Sequence, residues 1–160
     1  MAEPINQGRW TAEIEGDFVV FLIGARFSKL QFWRSVGDLG GTKRGMKQML
    51  DYLVAHPEKG MLGYEFGLKT IVQYWRSFEQ LEAFAKDKDD PHLQVWRDYW
   101  KRVGKSTRTG IWHETFLVRA GEYEAVYGNM PTYGLGKASK AVPVAESVGA
   151  RARLQRAAAP

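Results

Sequence analysis

The chain has 160 residues, contains no cysteine and carries a formal net charge of +5 at neutral pH. This length fits one domain, and the absence of cysteine excludes a disulfide framework, a thiolate metal site and a cysteine nucleophile. The longest apolar run, residues 18–23, is too short for a membrane helix, and residues 1–10 lack the apolar core of a signal peptide, so we expect a cytoplasmic protein with no membrane partner.

Most of the positive charge lies near the C-terminal end. Residues 137–160 hold five basic side chains and one acidic one, a net charge of 5 − 1 = +4, which leaves 5 − 4 = +1 for residues 1–136. The sequence predicts one domain over residues 1–136 and a basic, extended or flexible tail over residues 137–160. A short helix over residues 144–154 that packs on a partner subunit is the alternative for the tail. Because the domain is nearly neutral, nucleic acid is not an expected partner.

The first predicted element is a central strand over residues 17–27. It is rich in β-branched and aromatic residues on both alternating faces, and it carries one charge near its end, Arg26. An irregular segment over residues 28–41 follows and contains Trp33. Thr42 is a candidate cap for the next helix, whose apolar residues recur at helical spacing.

The middle of the chain predicts a hairpin and two helices. Residues 62–68 and 69–75 read as two strands that meet at a glycine. Ser77 followed by Gln80 is a capping box, which is typical of a helix start. Pro91 suits the first position of a second helix that follows directly on the first.

Two more strands, over residues 109–119 and 122–130, complete the pattern. The order is β-α-β-β-α-β with an extra terminal strand, which is the split βαβ pattern, so we predict an α+β fold of ferredoxin-like type. Helices cover only one face of such a sheet. Because the strands are apolar on both faces, we expect a second copy of the chain to cover the other face and form a homodimer.

Two of the three histidines are candidates for chemistry, since His56 at a helix end is explained by terminal carbonyls and the helix dipole. His92 lies just inside a helix start and shares a helix face with Trp96. It is either a polar residue at a helix terminus or a base or ligand at the edge of an aromatic pocket. His113 lies in the middle of a strand, where it is either a hydrogen-bonded core residue or a catalytic group.

Strand alternation separates His113 from its neighbours. Trp112, Glu114 and Phe116 point to the opposite face, and a mid-strand acid such as Glu114 needs a partner if it is not solvated. For the same reason His113 and Glu114 cannot share one metal ion, and no second histidine follows at zincin spacing. We therefore predict no metal held directly by side chains, a haem iron excepted.

The six tryptophans are the other unusual feature of the sequence. Trp75 and Trp96 fall near His92 in the strand-to-helix region. Large aromatic residues around a few polar groups are typical of a pocket for an apolar ligand or a flat cofactor. Ordinary core packing is the alternative for each of them.

Five motifs resemble a largely uncharacterised family. They are GAR at 24–26, VQYWRSF at 72–78, PHL at 91–93, GIWHET at 110–115, and NMP at 129–131 with GLG at 134–136. Together they resemble bacterial and fungal proteins labelled monooxygenase-like or phenylacetaldoxime dehydratase-like, within the dimeric α+β barrel superfamily. The resemblance extends over about residues 10–143.

This resemblance implies a ferredoxin-like protomer that pairs sheet to sheet, with a pocket between sheet and helices. Related members include cofactor-free monooxygenases of antibiotic biosynthesis, haem-degrading monooxygenases and haem-containing aldoxime dehydratases. In the haem-degrading branch a tryptophan and a histidine belong to the site, and Trp75 and His92 stand at the matching positions. Haem and cofactor-free chemistry therefore both stay open.

We hypothesise an enzyme of monooxygenase or lyase (dehydratase) type that acts on an apolar or aromatic small molecule. The candidate catalytic residues are His113, His92, Arg26 and Glu114, with the histidines transferring protons or ligating haem iron beside Trp75 and Arg26 holding negative charge. The candidate substrate-binding residues are Trp33, Tyr74, Trp96, Trp112 and Tyr127. The alternative is a non-catalytic protein that binds a hydrophobic ligand or haem.

Overall fold

The structure, a computed structural model, describes residues 3–41, 44–145 and 147–157. Within these residues the strands are β1 (Asn6–Glu13), β2 (Phe18–Phe27), β3 (Met61–Phe66), β4 (Thr70–Trp75), β5 (Thr109–Val118), β6 (Tyr127–Met130) and β7 (Lys140–Pro143). The helices are α1 (Phe32–Asp38), α2 (Met46–Ala55), α3 (Phe78–Lys86), α4 (Pro91–Val103), α5 (Leu135–Ala138) and α6 (Ala150–Ala157).

The larger of two sheets has four antiparallel strands in the order β3-β4-β2-β5. Strands β2 and β3 run in the same direction with β4 between them, and α1 and α2 make the connection from β2 to β3. Helices α3 and α4 then connect β4 to β5. The predicted α+β class and split βαβ order are confirmed.

Strand β2 is apolar on both faces because it lies between two cores. Val19 packs with residues of α2 and α3 in the first core, which also contains the fully buried Leu50 and Trp75. Phe18 points the other way and packs with Ala12 and α5 in the second core. Successive side chains of β2 thus pack alternately against the helices on one face and against a second layer on the other face.

The second layer is a small sheet with the order β6-β1-β7, which comes from the same chain. Strand β1 was not expected from the sequence. The strand predicted over residues 122–130 is shorter in the structure, because only Tyr127–Met130 is a strand, and it pairs with β1. One end of the second face of the large sheet is therefore covered by this chain rather than by a partner.

The prediction of an irregular segment over residues 28–41 is also wrong, since α1 forms there. Ser35 and Asp38, one turn apart, are buried on one side of this helix. The Ser35 hydroxyl donates to the Arg108 carbonyl and accepts from the Ser28 N–H, so contacts distant in sequence stabilise α1. Thr42, the predicted cap of α2, lies outside the described residues.

Two helix starts follow the expected chemistry. The Ser77 Oγ accepts a hydrogen bond from the Gln80 backbone N–H at 3.2 Å and caps α3. Pro91 is the first residue of α4, where its missing N–H costs no helical hydrogen bond. The predicted hairpin also forms, with the Gly67 N–H donating to the Thr70 carbonyl at 2.7 Å.

The end of the chain contributes further contacts. Strand β7 pairs with β1, and in α6 Arg153 is buried and its Nε donates to Glu124 Oε1 at 2.5 Å. Strand β7 is thus an edge strand of the small sheet, and Arg153 connects α6 to the segment before β6. No helix among the described residues is long and apolar enough to span a membrane.

Candidate functional site

A cavity of about 590 Å³ lies between the large sheet and the helices. We call it the sheet–helix cavity. Its floor is the helix-facing row of side chains from β4, β2 and β5, and its other walls come from α2, α3 and α4. The floor includes Phe21, Ile23, Gln73, His113 and Thr115. This volume falls within the range of about 300–1,000 Å³ that is typical of small-molecule sites.

His92 faces the cavity from the first turn of α4, and its surroundings set its protonation. Its Nδ1 lies 2.9 Å from the Ala85 carbonyl oxygen. Because a carbonyl only accepts, Nδ1 carries the proton and donates, and Nε2 keeps a lone pair in the neutral ring. Burial lowers the pKa of His92 below 6.5, and the hydrogen bond to Ala85 opposes this only in part.

His113 enters the cavity from the sheet. It pairs with Ile23 across the β2–β5 ladder, and its ring lies 5.3 Å from the ring of Phe21. The side chain is exposed rather than buried, so the interpretation as a hydrogen-bonded core residue is wrong. A positive charge on His113 would lower the pKa of His92 further, because two like charges repel.

Two of the predicted aromatic residues also line the cavity. Trp75 is fully buried, and its indole Nε1–H donates to Gln73 Oε1 at 2.9 Å. Its ring centre lies 5.8 Å from that of Phe84, which in turn lies 5.8 Å from that of His92. Trp96 borders the cavity and stacks on Tyr99. Of the residues predicted from the sequence, the structure thus brings His92, His113, Trp75 and Trp96 together in one cavity.

Three predicted residues lie on the opposite face of the large sheet, away from the cavity. Arg26 donates to the Thr107 carbonyl, and the exposed Glu114 lies beside Leu22. Trp112 lies over Gly24, where an added Cβ would come within 2.6 Å of the indole ring. The structure thus does not bring Arg26, Glu114 or Trp112 to the histidines.

The other three predicted residues are also outside the cavity. Tyr74 and Tyr127 pack around the second core, and burial raises the pKa of Tyr74 to about 12. The Tyr127 hydroxyl accepts a hydrogen bond from the Gly136 N–H at 2.9 Å, which holds the start of α5. Trp33 is 80% exposed and its ring contacts Phe32.

Two buried aspartates mark the ends of the helix layer, and their hydrogen bonds differ from those in the cavity. Asp38 accepts from Arg108 Nε at 2.6 Å and from Thr109 Oγ1 at 2.7 Å. The hydrogen bond from Arg108 lowers the pKa of Asp38 and outweighs the opposing effect of burial. Asp38 thereby fastens α1 to the start of β5.

Asp90 plays the same part immediately before α4. Its carboxylate accepts from the Tyr52 hydroxyl at 2.6 Å and from Lys59 Nζ at 2.8 Å. Burial alone would raise the pKa of Asp90, but these hydrogen bonds hold it below its usual value. Since Asp90 and Pro91 precede His92 directly, this network fixes the position at which His92 enters the cavity.

The sequence interpretation assigned no role to Gln73 or Thr115, which also line the cavity. A glutamine two residues before a tryptophan in an otherwise apolar strand is the signal that could have found Gln73. No cluster of three or more metal-ligating side chains occurs within the described ranges. If the cavity holds haem, the imidazole of His92 or of His113 would be the ligand of the iron.

Comparison with known proteins adds a family and a fold. A family model described as Monooxygenase af470-like matches residues 18–135. Monooxygenase af470 of Aspergillus fumigatus is 28% identical over 160 aligned residues, which cover 86% of this chain and 56% of that protein. The chain thus spans about half the length of this curated relative.

A solved structure shares the fold. The crystal structure of the aldoxime dehydratase OxdRE in complex with butyraldoxime superimposes with a TM-score of 0.64 at 14% identity, over 88% of this chain and 41% of that chain. An identity this low supports common architecture only, because one fold hosts many reactions.

Proposed function

Because the chain belongs to the monooxygenase af470-like family, we propose that it is a small-molecule enzyme of monooxygenase or dehydratase type. Its substrate is a largely apolar or aromatic molecule bound in the sheet–helix cavity. The observation that supports this proposal most directly is the neutral imidazole of His92, which lines a largely apolar cavity and whose Nε2 makes no hydrogen bond within the described part of the chain.

His92 is proposed as the proton-transfer group. Burial keeps its pKa below 6.5, so the ring is neutral at physiological pH and can accept a proton at Nε2. The Ala85 carbonyl stabilises the ring when it becomes positively charged, because it accepts the Nδ1–H in both protonation states. His113, on the floor of the same cavity, serves as the second proton-transfer group.

The cofactor is either haem or none. One observation fits haem: an unprotonated imidazole nitrogen faces a cavity with aromatic walls, and His92 or His113 would hold the iron. When bound, haem supplies an iron centre that activates oxygen or polarises a ligand atom. Protein loaded with haem and then desalted should keep an intense haem absorption band, and whichever of His92→Ala and His113→Ala removes the iron ligand should abolish that band. Loss of all haem from the wild type would leave cofactor-free chemistry.

The enzymatic proposal is tested with a panel of uncharged apolar and aromatic molecules, some of them carrying a hydroxyl or oxime group that can leave as water, in the presence of dioxygen and a reductant and with and without haem. Mass spectrometry would detect a gain of one oxygen atom or a loss of one water. His92→Gln should lower turnover by about 10²–10⁴-fold with little change in ligand affinity. The matched control is His56→Gln, since His56 bonds Glu58 at a helix end away from the cavity. Tight binding of panel members without product from any of them would favour the ligand-binding alternative.

We also propose that the chain forms a homodimer through the uncovered end of the second sheet face. There Trp112 is 40% exposed and Phe116 is 49% exposed, beyond the part that the small sheet covers. Exposed aromatic residues in a row are typical of a protein interface. Light scattering should give a dimer mass for the wild type and a monomer mass for Phe116→Glu. A monomeric wild type would contradict this proposal. The cytoplasmic location stays a prediction.

A further inference from the structure

Gln73 is the polar group that lies deepest in the floor of the sheet–helix cavity. It is in the middle of β4, paired with Phe21 of β2 and Tyr64 of β3, and it is only 4% exposed. A buried carboxamide in an apolar setting destabilises a fold unless its hydrogen-bonding groups have partners. The hydrogen-bond partners of the Gln73 carboxamide therefore indicate whether it has a structural role or binds a ligand.

Trp75 fixes which way the carboxamide points. The indole Nε1–H lies 2.9 Å from Gln73 Oε1. An indole nitrogen can only donate, so the atom that faces it must be the carboxamide oxygen, and the NH₂ group must point away. Trp75 is fully buried and packed against Phe84, so this orientation is held by the core of the protein.

The NH₂ group is open to the cavity. No hydrogen bond links Gln73 Nε2 to any residue in the described part of the chain. By contrast, every described side-chain nitrogen or oxygen that is sealed from solvent has a partner. Because Gln73 is buried and lines the cavity, its two N–H donors are exposed to the cavity space and not to bulk water.

We infer that Gln73 is a substrate-positioning residue that donates a hydrogen bond to an uncharged acceptor atom of the ligand. The inference rests on the proposed function, and it narrows the substrate class to largely apolar molecules with a carbonyl, hydroxyl or other neutral acceptor. A ligand carboxylate fits less well, because the cationic residue of the lining, Lys69, is exposed at the β3–β4 turn and no cation lies beside Gln73 in the β4 register. A buried carboxylate without a cation is strongly disfavoured.

The position of Gln73 relates this contact to the histidines. Phe21 lies between Gln73 and Thr115 in adjacent strands, and the ring of His113 packs on Phe21. A ligand anchored at Gln73 therefore lies across Phe21 and reaches His113, with His92 above it on α4. The hydrogen bond from Gln73 thus determines which part of the ligand lies next to His113 and His92.

Binding of two naphthalenes of nearly equal shape tests the assignment, since 2-acetylnaphthalene carries a carbonyl acceptor and 2-isopropenylnaphthalene carries a CH₂ group in its place. The ratio of their dissociation constants should change about tenfold in favour of the hydrocarbon in Gln73→Leu, because one hydrogen bond is lost with the ketone alone. Gln48→Leu is the matched control, since Gln48 is exposed on α2, and it should leave the ratio unchanged.

A second readout uses the wild type alone. The ¹⁵N-labelled side-chain NH₂ of Gln73, identified by its proximity to the Trp75 indole proton, should move further downfield with the ketone than with the hydrocarbon, because both carry the same aromatic rings and only the ketone accepts a hydrogen bond. A ratio that Gln73→Leu leaves unchanged, or an NH₂ signal indifferent to the ketone, would overturn the assignment and leave the cavity as a ligand site. If neither naphthalene binds the wild type, the proposed function fails together with it.

Discussion

Buried polar groups in two regions of the molecule differ in how completely they are paired. Asp38 and Asp90, at the ends of the helix layer, each accept hydrogen bonds from two side chains. In the sheet–helix cavity, His92 and Gln73 each use one nitrogen or oxygen on the protein and present the other nitrogen to the cavity. A buried polar group whose hydrogen bonds are all made within the protein indicates a structural role. A polar group that is held in place but keeps one unused donor or acceptor atom indicates a ligand-binding role.

The first prediction concerns the larger of the two aspartate networks. Asp38→Ala removes the acceptor for both Arg108 and Thr109, so the free energy of unfolding should fall by about 3 kcal/mol in urea denaturation. The matched control is Asp51→Ala, because Asp51 makes an exposed pair with Lys47 and should cost less than about 0.5 kcal/mol. Equal losses of unfolding free energy in the two variants would show that the hydrogen bonds of Asp38 stabilise the fold no more than an exposed ion pair does.

A smaller loss is expected at Asp90, together with an effect on the cavity. Asp90→Ala should cost about 2 kcal/mol and also weaken naphthalene binding, because the segment that carries His92 loses its tie to Tyr52 and Lys59. Asp89→Ala, at an exposed neighbouring position, is the control for both measurements. Binding that is unchanged at Asp90→Ala would separate this network from the cavity.

Gln73 should contribute less to stability than either aspartate. Gln73→Leu leaves the Trp75 indole N–H without an acceptor and should cost about 1 kcal/mol. In a Trp75→Phe background, which has no N–H to leave unpaired, the same substitution should cost nothing measurable. A cost that persists in this background would mean that Gln73 makes another stabilising interaction, contrary to the free NH₂ that we infer.

The smallest effect is a dependence of stability on pH that comes from His92. Its pKa in the folded protein lies below 6.5 because of burial, so the unfolded chain takes up a proton first as the pH falls. The free energy of unfolding should therefore decrease below pH 6.5, until the pH also passes the pKa of the folded protein. Above pH 6.5 this contribution is constant. His92→Gln should remove this part of the pH dependence, and an identical profile would contradict it.

Local patterns in the sequence were sufficient for much of the fold. Ser77 and Pro91 mark helix starts through contacts within one turn, and both predictions are confirmed. Helix α1 and strand β1 were missed because distant partners stabilise them: Arg108 for α1, and β6 and β7 for β1. Such partners become visible only when the chain is folded.

The same limit applied to the candidate site. Strand alternation correctly separated His113 from Glu114 and Trp112, but it could not tell which face carries the helices. His113 lines the cavity because its side chain is on the helix-covered face of the sheet, whereas Arg26 and Tyr74 are on the other face. Gln73 lies in a motif that resembles the family, yet its role depends on the Trp75 indole two residues away, which only the geometry reveals.

The same indole gives the protein a built-in optical reporter. Trp75 is shielded from water, carries a hydrogen bond on its ring nitrogen and forms part of the cavity wall, whereas Trp33 is 80% exposed. Iodide in the buffer should quench the emission of Trp33 and leave that of Trp75. Trp10 is half-buried as well, so the emission that survives quenching comes in part from Trp75. This part would follow occupancy of the cavity in real time, without a label attached to the protein or to the ligand.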